Sequence, residues 1–207
     1  VSCAFDTEEA VYIPCGHTGE APIEQVSVEF LVESIRPLLE NQQPLLVGQN
    51  LKYDMNVLKK YKLQLNGIAC DTMLASYALN STAGRHDMNS LALRLLSRST
   101  IAYTDVAGKG AKQITFDQVP LEQAAEYAAE DAEITWGCYL ALQSQLAEDP
   151  ERLALLNEIE MPLMPILAQM EYQGALIDGE ELKRQSLVLD EQIKALETKA
   201  YELVGEP

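Results

Sequence analysis

Gly48-Gln49-Asn50-Leu51-Lys52-Tyr53-Asp54 follows directly on the apolar run Pro44 to Val47, and its reading decides how the chain folds. The apolar run is short and breaks at a glycine, as a buried strand does, and from Leu51 onward the spacing is helical. A helix beginning here puts Asn50 and Asp54, four residues apart, on one face. A second segment, Tyr127-Ala128-Ala129-Glu130-Asp131, repeats that spacing inside a long Ala- and Glu-rich stretch, so that a phenol and a carboxylate stand side by side. Both pairs can therefore be aimed at one spot.

Two carboxylates and a tyrosine hydroxyl on helices suit a particular chemistry. Two-metal phosphodiester hydrolysis needs hard oxygen ligands for Mg²⁺ or Mn²⁺, and a group that orients the attacking water. Taken singly, each pair is a weak signal, because an exposed helical Asp is usually a solvated surface charge. Their joint occurrence carries the reading.

At these residues the chain resembles the 3′→5′ exonuclease (proofreading) domain of family A DNA polymerases. Gly48 to Asp54 resembles that family's second exonuclease motif, and Tyr127 to Asp131 its third, the Tyr-x-x-x-Asp form. Between them Gly67 to Leu74, Ala83 to Met88 and Ala107 to Gly110 are similar to family segments in order and spacing. Further on, Glu158 to Leu163, Met170 to Gly174 and Ile177-Asp178 resemble the entry into the polymerase domain, a continuation not expected of a free-standing ribonuclease D-type nuclease. The resemblance implies an α/β, ribonuclease H-like 3′→5′ exonuclease fold, a mixed sheet flanked by helices, followed by an α-helical segment. It implies an exonuclease domain over residues 1–149 and the helical start of a polymerase domain over 150–207.

The family's first motif is an Asp-x-Glu on the opening strand, and Phe5-Asp6-Thr7-Glu8 has that form. Its surroundings read differently. Val1 to Phe5 and Ala10 to Ile13 are short apolar runs about a polar turn, a hairpin pattern that places Asp6 and Glu8 at the sheet's rim. The Tyr12-Ile13-Pro14 strand end also comes sooner after Glu8 than in the family. The expectation is a fragment of a longer polymerase that begins after the first motif; the alternative is a rearranged site using Asp6 and Glu8.

Composition sets the outer limits. A chain of 207 residues with 47% hydrophobic content can bury a sizeable core. It has no apolar run near the ~18 residues a membrane span needs, so no membrane association is expected. Cys3, Cys15, Cys70 and Cys138 show neither zinc-site spacing nor disulfide-scaffold density, which reads as reduced thiols in a cytoplasmic protein. The net charge of −17 opposes tight non-specific binding to DNA, since that affinity comes largely from Lys and Arg displacing phosphate counterions. A DNA-handling role then requires most of the basic surface to lie elsewhere in the polymerase chain.

Helical spacing is expected from Ser27, with Phe30, Leu31, Ile35 and Leu38 on the apolar face, and over Leu51 to Tyr61. Asp71 suits the N-cap of a helix running through Leu79, with a metal ligand as the competing reading. Another helix is expected over Met88 to Leu96, then a looser rim from Ser97 to Phe116, and a long helix from Leu121 to Leu146. Asp149-Pro150 marks a boundary, beyond which the pattern is helical, with Pro162 and Pro165 as kinks and Gly174 as a stop. Glu180 to Val204 carries an apolar stripe. Arg85, Tyr103 and Lys109 are candidate contacts to single-stranded DNA, which is commonly held by stacking and a cation; an ordinary surface loop is the competing reading.

What the resemblance implies for the site follows residue by residue. Asp131 would hold one divalent ion directly and Asp54 would reach a second through water. Tyr127 would orient the attacking water, and Gln49 and Asn50 would shape the pocket or touch the substrate. Tyr103 would pack against a frayed single-stranded 3′ end of a primer-template; Arg85 stays a candidate strand contact on its charge alone. The implied role is in DNA replication and repair, with little hydrolysis by a chain lacking the first motif. The alternative from another class is a non-catalytic, exonuclease-like scaffold for a polymerase.

Overall fold

The computed structural model describes residues 1–6, 9–18 and 24–205. Thr7 and Glu8, residues 19–23 and the last two residues lie outside the described part, and with them the expectation for Glu8. The chain falls into two compact units, Val1–Tyr172 and Gln173–Pro207.

The first unit opens with the hairpin its pattern predicts. Strands β1 (Ser2–Ala4) and β2 (Ala10–Tyr12) pair antiparallel, Cys3 opposite Val11. Asp6 lies in the connecting turn, where its Oδ1 accepts from the Glu9 N–H at 2.8 Å. Helix α1 (Val28–Glu40) is capped by Ser27, whose hydroxyl accepts from the Phe30 amide. Only Leu31 of its expected apolar face is buried; Phe30 and Leu38 are exposed. Strand β3 (Leu46–Gly48), helix α2 (Leu51–Lys59), strand β4 (Ile68–Asp71) and helix α3 (Thr72–Leu79) follow, with β3 and β4 parallel and Gly48 opposite Asp71. Gly67 makes the turn into β4 at φ +62, where a Cβ would stand 2.9 Å from the Asn41 carbonyl oxygen. Both kinds of pairing that a mixed sheet requires are thus present, in two separate two-stranded pieces among the described residues.

Helix α4 (Met88–Leu91), capped by Asp87, runs into a wider π-type turn over Ala92–Leu96. The rim that follows is partly ordered by the short helix α5 (Tyr103–Ala107). Helix α6 (Leu121–Ala147) organises the rest, packing against β1, β2, β3, α3, α4 and α5. Its inward residues Ala124, Ala128, Ile134, Cys138, Leu142 and Leu146 recur at intervals of four or six, one stripe of the helix. Ile134 and Cys138 meet Leu91 and Ala92, while Leu142 and Leu146 meet Cys70, Ala75, Ala78 and Leu156. Each buried Leu or Ile among these contributes about 1.5–3 kcal/mol relative to exposure.

Asp149 caps helix α7 (Pro150–Leu155), with Pro150 at the first helical position. A π-type turn leads into helix α8 (Met161–Gln173), which contains Pro165. Leu156, Met164 and Ala168 are buried, so the segment from Pro150 to Tyr172 packs within the first unit. The second unit consists of a connection through Gly174 (φ +70) and helix α9 (Gly179–Val204), capped by Asp178. The stripe Leu182, Leu189, Ile193, Leu196 and Leu203 of α9 is exposed. All four cysteines are free thiols, and no helix of the described residues is long and apolar enough to cross a membrane.

Candidate active site

Tyr127 and Asp131 stand one turn apart on α6, as their spacing predicts, and the phenol and carboxylate interact. Burial pushes the Asp131 carboxyl up to about 6; the Tyr127 hydroxyl opposes that rise and neighbouring Glu130 adds to it. The Tyr127 phenol is itself pushed up, by burial first and then by the Asp131 charge. The acidic residues flanking Asp131 have other work. Glu130 accepts the Ile101 amide at 2.7 Å, and Glu133 pairs with Arg98 at 2.6 Å, so both fasten the rim to α6. Asp131 is left with Oδ1 buried and without a hydrogen-bond partner. A buried acceptor of this kind is costly unless something completes it.

Fastening the rim brings α5 against α6. Tyr103, 39% exposed, meets Tyr127 edge-on at 6.2 Å between centroids and stacks on Phe116 at 6.3 Å. Phe116 in turn lies 5.8 Å from Tyr127. Behind it the Tyr12 hydroxyl meets His17 Nε2 at 2.5 Å, and both rings pack on Phe116. Phe116 therefore backs both tyrosines of the site. Sequence reading did not single it out, and the signal available was one aromatic in a polar loop.

Asp54 lies on α2. Its side chain is exposed overall, yet packing around the carboxyl pushes it up to about 6, with a smaller contribution from the Asp71 charge. Asn50 precedes the helix in the left-handed conformation (φ 59), which asparagine tolerates better than most residues. Gln49 is tied on both sides: its Nε2 donates to the His86 carbonyl at 2.9 Å and its Oε1 accepts from the Thr72 hydroxyl. Arg85 projects into solvent and pairs with Asp87 at 2.8 Å. The far side of α2 is strapped to α8 by Lys52–Glu171 at 2.6 Å and by Lys59 over the Tyr172 ring at 4.2 Å.

The structure thus brings together Tyr103, Tyr127 and Asp131 in one group, and Gln49, Asn50 and Asp54 in another around Asp71. The two are linked through β3, which ends at Gly48 and packs against α6. The donors are hard oxygens, one of them buried without a partner, which fits a divalent cation of the Mg²⁺ class. Among the described residues there is no group of three or more metal-ligating side chains, so a complete coordination shell needs further oxygens.

An α/β domain that sets a tyrosine and carboxylates on helix faces has the donor set a metal-dependent hydrolase can use, and the relatives of the chain decide the class. Residues 1–147 match the family model described as 3′-5′ exonuclease of DNA polymerase A. The chain belongs to this family, that of the 3′-5′ exonuclease domains of DNA polymerase I. It is 49% identical over its whole length to DNA polymerase I of Pseudomonas aeruginosa, covering 23% of that protein. Against DNA polymerase I of Rhizobium leguminosarum the identity is 37% over 95% of the chain and 20% of the relative. Among solved structures, the POL domain of Pol1 from M. smegmatis, in complex with DNA primer-template and dNTP, shares the fold. It aligns over 87% of this chain and 28% of its own, with a TM-score of 0.63 and 23% identity. The chain spans about a quarter of the length of these relatives or less.

Proposed function

We propose that this chain removes 3′-terminal nucleotides from DNA by metal-dependent phosphodiester hydrolysis, as the proofreading part of a DNA polymerase acting in replication and repair. The observation that carries the proposal is the buried, partnerless Oδ1 of Asp131 beside the Tyr127 hydroxyl, while Glu130 and Glu133 are both engaged elsewhere. Family membership and the collinear second and third motifs support it.

In this reading Asp131 would hold one Mg²⁺ or Mn²⁺ and Asp54 would serve a second. Two such ions, when bound, neutralise the scissile phosphate and make a nucleophilic water available near neutral pH. Tyr127 would orient the attacking water, its raised phenol staying protonated and able to donate a hydrogen bond. Tyr103, half-exposed and braced by Phe116, offers a ring face to the terminal base. Asn50 and Gln49 shape the pocket floor, and Arg85 is free to swing from Asp87 towards a phosphate because its side chain is exposed. Residues 1–149 form the exonuclease domain, and 150–207 the helical start of the polymerase domain, which packs in part on the first.

A 5′-labelled single-stranded oligonucleotide tests this in the full-length protein. Stepwise shortening from the 3′ end, abolished by a chelator and restored by Mn²⁺ or Mg²⁺, is expected. Absence of shortening with intact polymerisation would favour the scaffold reading.

A further inference from the structure

Asp71 closes β4 and is 1% exposed, and its carboxylate is shared between two helices. Oδ1 accepts from Met73 and Leu74 at the start of α3, at 2.9 and 3.3 Å. The same Oδ1 accepts from the Asn50 amide at 3.2 Å, and Oδ2 accepts from the Leu51 amide at 2.7 Å, the N-cap and the first residue of α2. The parallel pairing makes this possible, because Gly48 lies opposite Asp71 and the chain turns back over it within two residues. Helix α2 has no side-chain cap of its own: Asn50, its N-cap residue, is left-handed and its side chain caps nothing. Two of the orphan amides at the start of α2 are thus satisfied from the neighbouring strand.

We propose that Asp71 is a positioning residue for the Asp54 half of the site, its second oxygen fixing the start of α2 and with it the place of Asp54 one turn on. The proposal rests on the exonuclease reading. An N-cap for α3 needs one oxygen; Oδ2 serves α2 alone, and the two roles can be separated by substitution. Asp71→Ser retains a good cap for α3 but has no second oxygen for Leu51. Asp71→Asn keeps the shape and turns one acceptor into a donor.

The experiment compares 3′-nucleotide release by the full-length protein with those two variants, over a Mn²⁺ titration, alongside amide exchange at Asn50 and Leu51. In both variants kcat falls by about 10- to 100-fold, the cost of a small misplacement, with KM for the oligonucleotide within about twofold and half-saturation by Mn²⁺ raised. Exchange quickens at Asn50 and Leu51, and in Asp71→Ser stays slow at Met73 and Leu74. Unchanged kcat and unchanged exchange at Asn50 and Leu51 in folded Asp71→Ser overturn the proposal while leaving the exonuclease reading intact. A lack of metal-dependent release by the unsubstituted protein overturns both.

Discussion

Replacing Asp131 by Asn should stabilise the metal-free chain at pH 8. Its carboxyl is raised from 3.8 to about 6, chiefly by burial, so the folded chain holds this proton more tightly than the unfolded chain does. The stability this contributes is fully present below the unfolded value and is lost as pH rises through about 6, after which an ionised carboxylate sits in a poor environment. About two pH units at ~1.4 kcal/mol each give an upper limit of about 3 kcal/mol. Solvent access and the remaining need of an Asn amide for partners reduce the expected gain to about 1–2 kcal/mol. For a chain of this size that is about 2–8 °C in Tm. The assay is thermal unfolding of wild type and Asp131→Asn between pH 4 and pH 8 in chelator, the difference near zero at pH 4 and reaching its plateau above pH 7. Saturating Mn²⁺ at pH 8 should then raise the wild type and not the variant. Equal or lower stability of Asp131→Asn at pH 8 would refute the electrostatic reasoning.

Tyr127→Phe removes the hydroxyl that lowers the Asp131 carboxyl; with Tyr127 in its proposed role, single-turnover release of the 3′ nucleotide should slow by about 10²-fold or more, with DNA binding by fluorescence anisotropy little changed. Ile134→Ala, at a fully buried position among Leu91, Ala92 and Cys138, should cost about 2–5 kcal/mol in urea unfolding. Gly67→Ala should destabilise by about 1–3 kcal/mol in the same assay, because its φ is +62 and the new Cβ would meet the Asn41 carbonyl oxygen at 2.9 Å.

The sequence made local features legible and left the distant ones hidden. The turn from β3 into α2, the capping of α3 by Asp71 and the Tyr127–Asp131 pairing are all set by neighbours within four residues. Asp71 reaching Leu51 depends on a parallel pairing across about twenty residues, and no local pattern announces it. Phe116 gathers Tyr12, Tyr103 and Tyr127 from three separate segments, which only the packing of the rim against α6 brings into register. The engagement of Glu130 and Glu133, which leaves Asp131 alone with a partnerless oxygen, is likewise tertiary. Helical spacing placed Phe30 and Leu38 on a face of α1, but spacing alone does not say what covers that face, and both are exposed. The stripe on α9 has the same history.

The most direct test of the site as a whole is Mn²⁺-dependent release of a 3′-labelled terminal nucleotide from single-stranded DNA by the full-length protein and its Asp131→Ala variant, measured at matched protein and metal concentrations. Release by the unsubstituted protein that falls at least about 10²-fold in the variant, with single-stranded DNA binding unaffected, is the predicted result. Release that persists in Asp131→Ala would contradict it and move the chemistry away from α6.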